Sequence, residues 1–212
     1  MAIKPILFST EMVRAILNGR KTCTRRVVKT RRKDACGFFV TKSPDGSFAG
    51  VYEHDEDGRM FENQLIPPYK PGDILYVRET WCKGSWGNEK ERYYYQADDN
   101  GFLCTWHPSI HMPKEAARIW LKVTDVRVER LQEITDEQAK REGIQYDECP
   151  TGFTWKQETD MHNCYTTPIG AMQALWNSTI KKSDLDRYGW AANPWVWVIQ
   201  FERCGKPEEV RR

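Results

Sequence analysis

The 212-residue chain has no apolar run of membrane-spanning length, and its N-terminus lacks the apolar core of a secretory signal. A cytoplasmic protein without a membrane partner is therefore expected. The seven cysteines are odd in number, show no paired spacing and include no CxxC, so reduced thiols fit better than a disulfide framework. A Walker loop, a GxGxxG turn, a nucleophile elbow and an HExxH helix are all missing, so none of the chemistries those motifs carry is indicated. There is no internal repeat, no low-complexity tract and no regular βαβ alternation. The last absence excludes a doubly wound sheet.

What is present is a charge asymmetry. The formal net charge is +2, yet residues 1–33 hold ten Lys/Arg against the single acid Glu11, giving +9 and leaving −7 for the rest. A basic lobe on an acidic body suits a phosphate-bearing partner, or at Arg31–Lys33 simply a solvated loop. Nine tryptophans suit a core, and would equally suit a groove that stacks bases.

Periodicity predicts an α+β fold: a small mixed or antiparallel β-barrel with peripheral helices. Strands are expected over 3–8, 22–28, 73–81, 93–95 and 195–202, and helices over 11–18, 134–143 and from Thr167-Pro168 onward. Between Ala117 and Leu131 the alternation changes parity at Thr124-Asp125, predicting two strands or one strand with a bulge. Residues 1–204 read as one domain. Insertions fall at about 30–68, with hairpin turns at Asp45-Gly46 and Asp57-Gly58, and at 145–166, which reads as irregular. Residues 205–212 read as a flexible tail.

The stretch Leu17–Val28, LNGRKTCTRRVV, concentrates the chemistry. A helix ends at Gly19, a strand follows, and Arg20, Lys21, Arg25 and Arg26 lie beside Thr22 and Thr24. A solvated basic edge strand would look like this, and so would a site for an anionic or amide-bearing ligand. Lys21 and Thr24 are an odd number of residues apart, so they act together only if the backbone between them is still turning. If they converge, a desolvated lysine can take the threonine's proton.

Glu142 sits in the last turn of a helix with a Thr135/Gln138 capping box and Gly143 as its stop. The helix dipole there is negative, which is expected to raise the pKa of an acid and suit it to general acid/base work, unless the end frays. At the end of the 73–81 strand, Tyr76, Arg78, Glu79 and Trp81 are candidates for substrate contact. Cys104, His107 and His111 have metal-compatible spacing but no CxxC partner, so neither a metal nor a cofactor is expected.

The segment ILNGRKTCTRRV resembles the signature of ASCH-domain proteins, a PUA-like β-barrel family, in which an apolar helix precedes G-R-K-T-x-T-x-R. YKPGDILYVRE, LQEITDEQAKREGI and NPWVWVIQFE resemble further family stretches in the same order, together covering about half the chain. The likeness is nearest to larger ASCH proteins of phages and prophages. The resemblance implies binding of RNA or modified bases. By likeness to a small bacterial branch, it also implies hydrolysis of the acetamide of N4-acetylcytidine by a lysine, a threonine and a glutamate, which fall on Lys21, Thr24 and Glu142. The chain departs from that branch in being about twice as long and in having Arg25 where the branch has an apolar residue.

Three readings follow. The first is an amidohydrolase acting on an N-acylated nucleoside or base, with Arg20 or Arg26 steadying the oxyanion. The second is a non-catalytic reader of RNA or modified nucleotides, with the arginines on phosphate and Trp81 or Tyr76 stacking a base. The third is a ribonuclease using the same groups.

Overall fold

A computed structural model describes residues 1–45, 48–85, 90–98, 104–148, 151–156 and 164–208. The chain opens with β1 (Ile3–Leu7), α1 (Thr10–Leu17) and β2 (Cys23–Val27). The first insertion forms a separate three-stranded sheet of β3 (Gly37–Lys42), β4 (Phe48–His54) and β5 (Met60–Gln64). Next come β6 (Ile74–Arg78), β7 (Trp81–Gly84), β8 (Arg92–Tyr95) and the eleven-residue β9 (Trp120–Arg130). The chain closes with α2 (Asp136–Arg141), β10 (Gln145–Glu148), β11 (Thr151–Thr154), α3 (Pro168–Thr179), the short α4 (Leu185–Tyr188) and β12 (Trp195–Cys204). No described helix is long and apolar enough to cross a membrane.

The main sheet has five strands in the order β1-β6-β9-β12-β2, with β1 parallel to β6 and the other neighbours antiparallel. The fold is thus α+β around a mixed sheet. Among the described residues the ladder ends at β1 and β2, and no backbone pairing joins those ends into a barrel. The parity change at Thr124-Asp125 is one strand with a bulge: Asp125 faces Gln200 and Val123 faces Phe201, leaving Thr124 as the extra residue.

Two expectations change. The 73–81 strand breaks at Glu79-Thr80, where the Glu79 amide turns to the Met112 sulfur, so β6 and β7 belong to different sheets. The second insertion, expected to be irregular, contains the β10–β11 hairpin; its residues 149–150 and 157–163 lie outside the described set. Asp45-Gly46 is described only at Asp45, whereas Gly58 holds the expected turn with φ +74°. Of the tail, residues 209–212 are not among those described.

The helices form where their caps allow. Ser9 accepts from the Met12 amide to start α1, which buries Met12, Val13, Ala15 and Ile16. Thr167 caps α3, Pro168 fills its first turn, and Met172, Leu175 and Trp176 on its apolar face are buried. These faces meet Leu75, Leu121, Val196 and Val198 of the main sheet in one core. Each fully buried aliphatic side chain there contributes about 1.5–3 kcal/mol. A smaller cluster of Ile74, Met112 and Trp120, joined by Tyr76, Trp81 and Tyr93, packs beneath the β7–β8 hairpin.

The cysteine expectation is corrected. Cys82 on β7 and Cys104 are joined in a disulfide, because the hairpin and the His107 segment bridged to Trp81 run side by side. Cys23, Cys36 and Cys204 are free thiols.

Candidate functional site

The site begins with the way α1 ends. Gly19 adopts φ +74°, and the amides of Arg20 and Lys21 both donate to the Ala15 carbonyl, at 2.9 and 3.0 Å. The chain is therefore still turning at Lys21. The Thr22 amide then donates to the Arg141 carbonyl at 2.9 Å, tying this turn to the end of α2, and β2 starts at Cys23. This turn is what brings Lys21 and Thr24 to one side despite their odd spacing.

The second half of the site is the end of α2. Thr135 and Gln138 form the expected capping box, Glu142 is the C-cap and Gly143 has φ +107°. A side chain at Gly143 would place its Cβ 3.0 Å from the Ala15 Cβ, so the close approach of α2 to α1 requires glycine.

Lys21 Nζ lies 2.6 Å from Glu142 Oε2 and also donates to the Glu142 carbonyl at 2.8 Å. Arg25 Nη1 donates to Glu142 Oε1 at 3.0 Å, while its Nη2 reaches Gln138 Oε1 at 3.0 Å and Glu129 Oε2 at 3.4 Å. Lys21, Thr24, Arg25 and Glu142 are each only 3% exposed.

These four line a cavity of about 210 Å³ between the β1–α1 junction and β2, at the seam where the main ladder is open. Phe8, Met12, Met172, Leu175 and Trp176 form its apolar wall. The Thr24 hydroxyl has no hydrogen-bond partner among the described residues. Arg26 also lines the cavity; it donates to the Leu7 carbonyl at 3.0 Å, bridging the two open edges, and its guanidinium stands 5.6 Å from the Phe8 ring centre.

The expected rise in the Glu142 pKa is corrected. Burial does push it up, but the facing charges and hydrogen bonds of Lys21 and Arg25 outweigh both burial and the helix dipole, and hold the carboxyl below its ordinary value. The Cys23 thiol is pushed up to about 12, first by burial and then by the Glu142 charge, so it is an unreactive neighbour. Burial lowers the pKa of Arg26.

The other candidates fall elsewhere. Arg20 donates to the Gly143 carbonyl at 2.7 Å and borders a different cavity, which removes it as an oxyanion donor. Arg78 donates to the Met112 carbonyl. Glu79, 1% exposed, is gripped by Arg118 through two 2.9 Å bonds. Tyr76 packs on Trp120, and Trp81 packs on Tyr93 and His107, in the smaller hydrophobic cluster. None of these four lines the Lys21 cavity. Cys104 is committed to its disulfide, and no group of three or more metal-ligating side chains converges among the described residues.

No protein-family model, curated protein or solved structure matches this chain.

Residue patterning overlooked the apolar wall. Phe8 reads as the end of a strand and Trp176 as core; the one available hint was the heavy tryptophan content. Arg25, expected on substrate, directs its guanidinium into the protein's own carboxylates, Glu142 and Glu129. What the site can do chemically is move a proton between an ammonium and a carboxylate beside an unengaged hydroxyl.

Proposed function

We propose that this protein is an ASCH-type hydrolase of N-acylated nucleosides or bases of the N4-acetylcytidine kind. The observation that supports this best is the shared cavity: Lys21 and Glu142 are in contact at 2.6 Å, and Thr24 lines the same space. The volume, about 210 Å³, lies below the range of about 300–1,000 Å³ usual for drug-sized ligands and suits a base-sized group. In this reading the five-stranded sheet is a PUA-like barrel whose seam, bridged by the Arg26 side chain, forms the entrance.

The pair rests as ammonium and carboxylate. Moving one proton across the 2.6 Å bond produces a lysine amine and a glutamic acid together. The amine takes the Thr24 proton as Oγ1 bonds to the acyl carbon, and the carbonyl oxygen becomes an oxyanion facing Arg26. Collapse breaks the carbon–nitrogen bond, and the amine departs with the Glu142 proton. Water then attacks the Thr24 ester, giving one proton to Glu142, while Lys21 returns a proton to Oγ1. The free carboxylic acid leaves, and a final proton transfer restores the ion pair.

The reader alternative draws less support, because Arg20 and Arg25 donate to the protein's own carbonyl and carboxylate groups, and Tyr76 and Trp81 lie outside the cavity. The test is incubation with N4-acetylcytidine, other acylated nucleosides and a structured RNA, with products read by mass. Cytidine and acetate are expected from the wild type and neither from Thr24→Ala. Absence of product from every acylated nucleoside overturns the proposal; cut RNA would point to the nuclease reading, and binding without turnover to the reader.

A further inference from the structure

The lysine–glutamate pair is neutral by itself, yet the fold buries a second cation against it. Arg25 has a side chain 1% exposed. Placing a guanidinium there is costly unless the groups facing it compensate, and only its Nε lacks a hydrogen-bond partner. The compensation is a row of alternating charge. From Lys21 it passes to Glu142, to Arg25, to Glu129 at 3.4 Å, to Arg127 at 2.5 Å and to Asp125 at 3.0 Å. The last three lie on one face of β9 at two-residue steps, just past the bulge at Thr124.

Arg25 also reaches both ends of α2. Its Nη2 meets Gln138, whose Oε1 accepts from the Thr135 amide in the capping box, and its Nη1 meets the C-cap Glu142. Glu142 therefore has both oxygens engaged, one by each cation.

We propose that Arg25 is a positioning residue: it holds Glu142 as a carboxylate turned toward Lys21, and is itself held by Gln138 and the Glu129–Arg127–Asp125 row. This rests on the hydrolase reading only for its kinetic consequence. The charged and titratable neighbours of Glu142 are Lys21 from the α1–β2 turn and Cys23, Arg25 and Arg26 from β2, with Glu129 one link behind on β9. From α3 the cavity receives only Met172, Leu175, Trp176 and Thr179, none of them charged. Removing Arg25 takes away one of the two cations in contact, so Glu142 accepts a proton at higher pH. In turnover, the acid limb of kcat/KM moves to higher pH in step, because protonating Glu142 while Lys21 is still an ammonium leaves no base.

The experiment follows the Glu142 side-chain carboxyl by carbon-13 NMR against pH, assigned by its loss in Glu142→Gln. Wild type, Arg25→Leu, Arg25→Gln and Arg25→Lys are compared, alongside the kcat/KM profile on N4-acetylcytidine. The midpoint is expected to rise in both uncharged variants, with Arg25→Lys restoring most of the wild-type value and most of kcat. If the single uncharged variants fail to fold, Arg25→Gln with Glu129→Gln, which removes one charge of each sign, is expected to show the same rise. A folded uncharged variant whose Glu142 titrates as in wild type overturns the proposal. Wild-type protein that leaves N4-acetylcytidine intact overturns the hydrolase reading instead, and the NMR titration still decides Arg25's hold on Glu142.

Discussion

Among the described residues, Glu142 and Glu79 are buried glutamates whose carboxylates pair with arginine guanidinium groups, and they titrate in opposite directions. Glu142 faces two cations at 2.6 and 3.0 Å beside a cavity and is held below its ordinary pKa, burial notwithstanding. Glu79 has only Arg118, which it shares with Asp98, and burial leaves its pKa raised. Burial acts on the shared arginine too, lowering its pKa, but its bonds to two carboxylates outweigh that and leave it raised. An arginine–carboxylate pair in the interior is therefore not a functional signature. The cavity and the unengaged Thr24 hydroxyl separate the first cluster from the second.

The largest expected difference is kinetic. Glu142→Gln should lower kcat on N4-acetylcytidine by about 10²–10⁴-fold, the range for a lost acid/base group. Glu79→Gln should leave it within about twofold, since Glu79 does not line the cavity. Comparable losses in the two variants, measured by steady-state kinetics, would break the distinction.

Stability should divide the pair next. Glu142→Ala leaves Lys21 buried without its carboxylate and Arg25 with only Glu129 and Gln138, and is expected to cost about 3–5 kcal/mol in urea unfolding. Glu79→Ala should cost less, because Arg118 keeps Asp98 and partial access to water.

The pH dependence has opposite signs. A raised carboxyl makes the folded state bind protons first, so Glu79 adds stability as pH falls from neutral toward the ordinary glutamate value of 4.5. A lowered carboxyl does the reverse: Glu142's contribution is present above 4.5 and is lost as pH falls through its lower folded value. Urea midpoints against pH should lose the first feature in Glu79→Gln and the second in Glu142→Gln.

The smallest effect sharpens the role of the α2 end. Gly143→Ala must hold φ +107° with its Cβ 3.0 Å from Ala15, and should cost about 1–3 kcal/mol by thermal unfolding. Because that strain falls beside Glu142, kcat should drop with it, whereas the same substitution at Gly72, where a Cβ meets nothing within 4 Å, should leave kcat unchanged.

Much of the site's frame could be read along the chain. Thr135, Gln138 and Gly143 mark both ends of α2 by local chemistry, and the parity change at Thr124-Asp125 marks the bulge. The condition for Lys21 and Thr24 to meet was also legible, because Gly19 signals a turn. The protonation of Glu142 was not. The helix dipole acts locally and predicts a rise, while Lys21 and Arg25, more than a hundred residues earlier in the chain, act in the opposite direction through contact. The Cys82–Cys104 disulfide was hidden for a similar reason, since spacing carries no information about two segments brought side by side by a hairpin.

Local sequence determined the caps, the turns and the strand periodicity, because those depend on side chains bonding to backbone within a few residues. Tertiary structure decided which charges face one another, where the five-stranded ladder stays open and which apolar side chains line the gap. Coulomb interactions and burial depend on distance in space, and only the packed chain sets that distance.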